Sequence, residues 1–273
     1  MATGADDGAE IDLLLEDLYQ RHHCDFRGYS RPSLQRSITR ALQALASPSV
    51  AHLRELIARD ARARRVLLGT LTTQVSDLFR DPSYFRVLRE RVVPHLATYP
   101  SIRVWVAGCG TGEEAQSIGI ILREAGLLER SLIYATDIDE ESLRKASAGR
   151  YAIDRLAGFT ESYVSAGGRA SLSDYCQVDG ATVTFDPALR EHMLFSEHSL
   201  ATDGAFAEVQ LVSCRNVLIY FAPQLRDRAI GVFQDALCPR GFLGLGANET
   251  LSPSAHADRF ESFAAAERIY RRA

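Results

Sequence analysis

Three short stretches of the chain combine residue types that chemistry can use. The first is Val104-Trp105-Val106-Ala107-Gly108-Cys109-Gly110-Thr111-Gly112-Glu113-Glu114, an apolar strand that turns through G-x-G-x-G into a helix. Glycines at such a turn let backbone N–H groups approach a ligand at the helix N-terminus, where the helix dipole favours an anionic group such as a carboxylate. The spacing is tighter than the G-x-G-x-x-G of dinucleotide folds, and the G-K-[ST] of a P-loop is missing. It favours S-adenosylmethionine, whose amino-acid end would sit at the turn; the alternative is a turn that serves the fold alone.

The second stretch is Ala135-Thr136-Asp137-Ile138-Asp139, in which Asp137 follows Gly112 by twenty-five residues. That distance suits an acid at the end of the next strand taking ribose hydroxyls, with Asp139 capping the helix begun by Glu140-Glu141. The third is Val212-Ser213-Cys214-Arg215-Asn216-Val217-Leu218-Ile219-Tyr220-Phe221. Here an apolar strand ends in polar residues, at the edge where open α/β sheets keep their ligand crevice. The competing reading makes Asn216 a turn residue and Tyr220-Phe221 core aromatics.

The elements that must position these residues follow from periodicity. Val104–Val106, Leu132–Ala135, Met193–Phe195, Val209–Val212 and Phe242-Leu243 suit buried strands, separated by helical stretches near 114–125, 140–148 and 224–237. Strand and helix in alternation predict a parallel, doubly wound sheet. Asp179-Gly180 between two alternating runs predicts a hairpin, so a small antiparallel β insert is expected at about 160–187. Upstream, residues 11–95 show helical spacing: Leu34, Ile38, Leu42 and Leu45 form one stripe, while Arg36 and Arg40 fall on the opposite face. Pro32 suits the first turn of that helix, with Ser30 or Ser33 as its cap. Exposed there, Arg36 and Arg40 are candidates to meet acidic residues of a substrate helix, against the alternative of a solvated face.

Composition excludes several classes. A chain of 273 residues with 46% hydrophobic and 24% charged residues is globular and of one large or two modest domains. The net charge of -4 gives no global field for nucleic acid, yet residues 21–66 hold ten arginines against Asp25, Glu55 and Asp60. The acidic start, with neither basic residues nor an apolar stretch, and the lack of any membrane-length apolar run predict a cytoplasmic protein without membrane insertion. Five scattered cysteines suggest buried thiols, and the seven histidines make no ligand pattern, so no metal is expected.

Taken together, Thr73-Gln74-Val75-Ser76-Asp77-Leu78-Phe79-Arg80, Gly110-Thr111-Gly112-Glu113-Glu114, Thr136-Asp137-Ile138-Asp139 and Cys214 to Phe221 resemble the CheR-type chemotaxis receptor methyltransferases. The resemblance covers nearly the whole chain. It implies an α/β fold: a small N-terminal helical domain and linker over residues 1–90, then a doubly wound S-adenosylmethionine-binding domain over 91–273 that carries the β insert. It implies a protein-glutamate O-methyltransferase, with the cytoplasmic helical region of a chemoreceptor or related signalling protein as partner. A monomer that does not bind nucleic acid is expected.

Carried onto this sequence, the resemblance puts Gln74, Ser76 and Arg80 over the cofactor, with Gly108 and Gly110 at its turn. Glu113 would hold the amino group and Asp137 the ribose, Ser199 and Leu200 would bracket the adenine, and Arg215 with Asn216 would wall the crevice. Arg80 and Tyr220 would stand nearest the transferred methyl, unless Arg80 is simply a surface cation. Several positions depart from the family pattern. Gln74 and Ser76 replace Asn and Thr, Leu78 a phenylalanine, Ala115-Gln116 a Pro-Tyr pair, Ser199 an Asn, and Gln210 an acid. A glutamate carboxylate, with an ordinary pKa near 4.3, is already an anion at neutral pH, so alignment and not a general base would dominate catalysis. Two other classes compete: a catalytically weak module that senses S-adenosylmethionine or another nucleotide in a signalling complex, and a methyltransferase acting on small molecules or nucleic acid. The second of these would call for a [DN]-P-P-[YFW] element, and Asn216-Val217-Leu218-Ile219 has neither proline.

Overall fold

The computed structural model describes residues 6–72 and 76–273. Four helices build the N-terminal unit: α1 (Asp6–His22), α2 (Arg31–Ala44), α3 (Val50–Arg59) and α4 (Ala61–Leu71). Leu14, Leu18, Phe26, Leu34, Ile38, Leu53 and Leu67 form their shared core. Leu42 and Leu45, the far end of the α2 stripe, are half-buried at its rim. Pro32 lies in the first turn of α2 with Ser30 at the N-cap position, although the Ser30 hydroxyl donates to Ser33 Oγ and caps no backbone N–H. Asp60 ends α3 and starts α4, its carboxylate accepting from Arg62 N at 2.7 Å.

Leu78, Phe79, Tyr84, Phe85, Leu88 and Val92 belong instead to the core under the sheet. They lie before α5 (Pro82–Val87), on it, or on the single π turn at Leu88–Val92 through which it continues into α6 (Val93–Leu96). The domain boundary expected at residue 90 therefore falls inside one continuous helical stretch, and the packing division comes before Leu78.

The rest alternates as expected. The elements are β1 (Ile102–Ala107), α7 (Glu113–Glu124), β2 (Ser131–Asp137), α8 (Glu140–Ala148), β3 (Arg150–Ala152), α9 (Leu156–Ser165), β4 (Cys176–Asp179), β5 (Thr182–Phe185), α10 (Pro187–Arg190) and β6 (Met193–Glu197). Then follow β7 (Val209–Cys214), α11 (Pro223–Ala236), β8 (Leu237–Leu245), β9 (Phe260–Ala264) and β10 (Ile269–Arg272). The seven-stranded sheet has the order β6-β2-β1-β7-β8-β10-β9. Its first five strands are parallel, and β10 runs antiparallel to both β8 and β9. Val104 and Val106 point into one core while Trp105 and Ala107 point into the other, so β1 is covered on both faces.

Two features differ from the sequence reading. The antiparallel pair β9–β10 closes one edge of a sheet expected to be parallel, and a register shift between Ile269 and Tyr270 interrupts its pairing. The insert is also larger than 160–187: strand β3 starts it at Arg150, helix α9 lies within it, and the order is β3-β5-β4. A three-residue strand is too short to show alternation. The hairpin itself stands where Asp179-Gly180 marks it, with Asp179 paired to Thr182 and Gly180 at φ +56°. Glu124 on α7 anchors the insert, accepting from the Tyr163 and Tyr175 hydroxyls and pairing with Arg89.

Gly112 is the tightest point of the β1–α7 turn. It adopts φ +93°, and a Cβ there would meet Ala146 Cβ at 2.8 Å and Ala146 Cα at 2.9 Å. Left-handed strain and a backbone clash both act, so Gly112→Ala should lower unfolding stability by about 2–3 kcal/mol in a urea titration. A loss below about 0.5 kcal/mol would mean that the turn and α8 are not packed this way.

Candidate functional site

Strand order reverses beside β1: β2 and β6 lie to one side, β7 and β8 to the other. Open α/β sheets bind ligands at such a switch point, outside the carboxyl ends of the strands. There lies an open cleft of about 950 Å³, counted to solvent at its mouth, whose lining comes from the sheet edge, the 76–80 segment and the helical domain.

The glycine turn forms its floor. Gly108 N and Cys109 N both donate to Thr136 O at 2.8 and 2.9 Å, locking the turn to the end of β2. Gly110 takes φ +53°, and a Cβ there would make an ordinary contact with Ser76 Cβ at 3.6 Å. Gly110 N donates to Asp137 Oδ2 at 2.8 Å and Asp139 N to Asp137 Oδ1 at 3.0 Å, so the Asp137 carboxylate is held while keeping lone pairs toward the cleft. Burial pushes its pKa up, opposed by those backbone N–H groups. Asp139 caps α8 as expected, accepting from Ser142 N at 3.2 Å.

The two glutamates divide differently from expectation. Glu113, assigned to the cofactor's amino group, is fully buried and is not among the residues that line the cleft. Its carboxylate accepts from Arg155 at 2.5 Å and from the Thr111 hydroxyl at 2.7 Å. Glu114 lines the cleft in its place. Adjacent helical residues point about 100° apart, and the sequence alone does not say which one faces in.

Arg215 joins the walls. Its side chain is 1% exposed and lies 4.2 Å over the Tyr84 ring. It donates to Glu114 Oε2 at 3.0 Å, Asp81 Oδ2 at 2.8 Å and the Arg80 carbonyl at 2.6 Å. The Ser213 hydroxyl donates to Glu114 Oε1 at 2.6 Å, completing the fixation of that carboxylate. Arg80 is thus presented to the cleft on a segment gripped by Arg215, with Phe79 at φ +50° and Asp81 at φ +56° on either side. Positive φ at two non-glycine residues is strain that the grip must maintain. On the other flank, Arg155 donates to Ser76 O at 2.6 Å, so one cation supports both the glycine turn and the segment above it.

Asn216 lines the cleft at φ +61°, held by a residue that motif reasoning overlooks. Buried Glu249 accepts from the N–H groups of Asn216, Val217, Ile219 and Gly246. The available signal was its place just past β8, at the same carboxyl edge as the other site residues. Ser199 and Leu200 also line the cleft, on a loop whose carbonyls at Leu200, Thr202 and Asp203 all accept from Arg228. Tyr220, Gly108 and Ser76 complete the predicted set present there. Gln74 lies outside the described residues. Arg36 and Arg40 stand apart from the cleft, exposed on α2 with contacts to Ser33 Oγ and Ser37 Oγ at 3.1 Å.

Two carboxylates across a glycine turn, at a switch point of a doubly wound sheet, define a nucleoside-binding site able to take a cofactor with a cationic amino-acid end. Glu114 and Asp137 both line the cleft, on either side of that turn. Residues 74–269 match the CheR methyltransferase SAM-binding domain, and residues 9–72 match the CheR methyltransferase all-alpha domain. The chain belongs to the CheR methyltransferase family, with S-adenosylmethionine as cofactor. It is 48% identical to Cher3 of Pseudomonas putida over 96% of both chains. It is 32% identical to the chemotaxis protein methyltransferase of Vibrio parahaemolyticus over 77% of this chain and 76% of that one. Chemotaxis protein methyltransferase 1 of Pseudomonas aeruginosa is 31% identical over 69% of this chain and 70% of its own.

A carboxylate at Asp137 accepts most strongly when ionised, and burial raises its pKa from the ordinary aspartate value. Affinity for S-adenosylhomocysteine, measured by calorimetry down to pH 4, should therefore begin to fall at a higher pH than an ordinary aspartate with pKa near 3.9 would dictate. Asp137→Asn should bind more weakly at pH 7 and lose that acid limb. An acid limb that persists unchanged in Asp137→Asn would assign the titration to another group.

Proposed function

We propose that this protein transfers the methyl group of S-adenosylmethionine to glutamate carboxylates on the helical cytoplasmic region of a chemoreceptor or related signalling protein. The observation that carries the proposal is the placement of Arg80 and Tyr220 in one cleft with Glu114 and Asp137. When bound, S-adenosylmethionine supplies an electrophilic methyl group on a sulfonium centre. The residues around it then need only hold the acceptor. A carboxylate with pKa near 4.3 arrives ionised and needs no proton removed. The Arg80 guanidinium can pair with its oxygens through parallel N–H groups, and the Tyr220 hydroxyl can hold the same group or Arg80 itself. Glu114 takes the cofactor's amino group, Asp137 its ribose, and Ser199 with Leu200 edge its adenine. Alignment of reacting groups is the principal contribution asked of these side chains. The names of the relatives from Vibrio and Pseudomonas support the chemotaxis setting.

The helical domain supplies the dock in this reading. Arg36 and Arg40 are exposed on α2, on the side away from buried Leu34 and Ile38. Single exposed ion pairs are worth about 0.2–1 kcal/mol, and several together steer an acidic helix in a salt-dependent way.

Two variants separate these roles in an assay with a receptor fragment. Arg80→Ala should lower kcat by about a hundredfold with a thermal midpoint within about 2 °C of wild type, because alignment is lost and packing is not. Arg36→Glu with Arg40→Glu should keep S-adenosylhomocysteine affinity, raise KM for the receptor and remove most of the salt dependence of the wild-type rate. Wild-type turnover in Arg80→Ala would end its catalytic assignment, and a wild-type KM at low salt in the charge-reversed protein would place the dock elsewhere.

A further inference from the structure

The loop joining α1 to α2 crosses from the helical domain to the sheet domain. Ser30 N donates to Tyr220 O at 2.8 Å, and Ala222 N donates to Gly28 O at 2.9 Å. Tyr29 thereby faces Phe221 in a one-residue antiparallel bridge across the domain seam. Its ring is fixed on two sides, 5.0 Å from Phe26 and 5.1 Å from Phe221. The far side of the site meets the same surface, because Ile138, the neighbour of Asp137, packs with Tyr29 against the helical-domain core. Both Tyr29 and Asp137 line the cleft. Among the described residues the Tyr29 hydroxyl has no hydrogen-bond partner, although its ring and backbone are anchored.

We propose that Tyr29 is a cofactor-binding residue contributed by the helical domain, its hydroxyl donating to the adenosyl ribose beside Asp137. The inference rests on the cofactor assignments made above and extends them across the domain seam. Burial, with Asp137 and Tyr220 nearby, holds the phenol well above its usual pKa, so Tyr29 is a neutral donor at any working pH. A carboxylate has lone pairs and no proton to give when ionised, whereas a ribose hydroxyl both donates and accepts. Asp137 would take the ribose protons and Tyr29 would satisfy a ribose oxygen. The helical domain then does more than recognise a partner: its docking completes the cofactor site.

Calorimetry with S-adenosylhomocysteine and no methyl acceptor isolates this contact from substrate binding. Tyr29→Phe keeps the ring between Phe26 and Phe221 and removes only the hydroxyl, so its thermal midpoint should match wild type. Its Kd should rise about three- to tenfold, the worth of one neutral hydrogen bond. In a cycle with Asp137→Ala the double variant should bind better than the product of the two single effects predicts, because both act on one ribose. An unchanged Kd in Tyr29→Phe, with Asp137→Ala clearly weakened, overturns the proposal and leaves the rest of the site standing. Strictly multiplicative effects overturn it as well, by separating the two contacts. Absence of binding in the wild-type chain would instead overturn the cofactor assignments on which it rests.

Discussion

A buried guanidinium has to be neutralised, and the Arg215 side chain is 1% exposed. The structure solves that requirement with Glu114 and Asp81, one at 3.0 Å and the other at 2.8 Å, and adds the Arg80 carbonyl at 2.6 Å. The partners come from two segments: Glu114 from the start of α7, and Arg80 with Asp81 from the strained turn that leads into α5. Removing the cation from such a buried pair costs about 3–5 kcal/mol, since the Glu114 charge, 14% exposed, would be left beside Tyr84 without it. The electrostatic need of one side chain thus fixes Glu114 and the backbone that presents Arg80, two parts of the cleft lining held by the same ion.

A similar economy governs the periphery. Arg155 links buried Glu113 to the Ser76 carbonyl, so the glycine turn and the segment above it share one support. Glu249 gathers four backbone N–H groups and holds Asn216 in a left-handed conformation beside Arg215. Arg228 draws three loop carbonyls together behind Ser199 and Leu200. None of these three positioning side chains lines the cleft, and each holds a segment that does. Preorganisation of this kind is what alignment-limited chemistry demands.

Much of this was legible in the sequence because it is written in local patterns. The glycine turn, Asp137, the Asp139 cap and the Asp179-Gly180 hairpin each declare themselves within a few residues, and all stand where those residues place them. The β9–β10 pair was not legible, since Phe260–Ala264 and Ile269–Arg272 are short and their pairing is interrupted by a register shift. The choice between Glu113 and Glu114 depends on where Arg155 and Arg215 arrive from 42 and 101 residues away, which no local pattern records. The same holds for Tyr29 and for the domain division before Leu78, both products of packing between distant segments.

The claim on which the functional reading turns is that the methyl acceptor is a carboxylate. The direct measurement is transfer from methyl-labelled S-adenosylmethionine to a purified chemoreceptor cytoplasmic fragment, followed by mild alkali and peptide mass spectrometry. Methyl esters on glutamates predict label that is released as methanol and maps to glutamate side chains of the receptor's helical region. Label that survives alkali, or that maps to lysine or arginine, would contradict it.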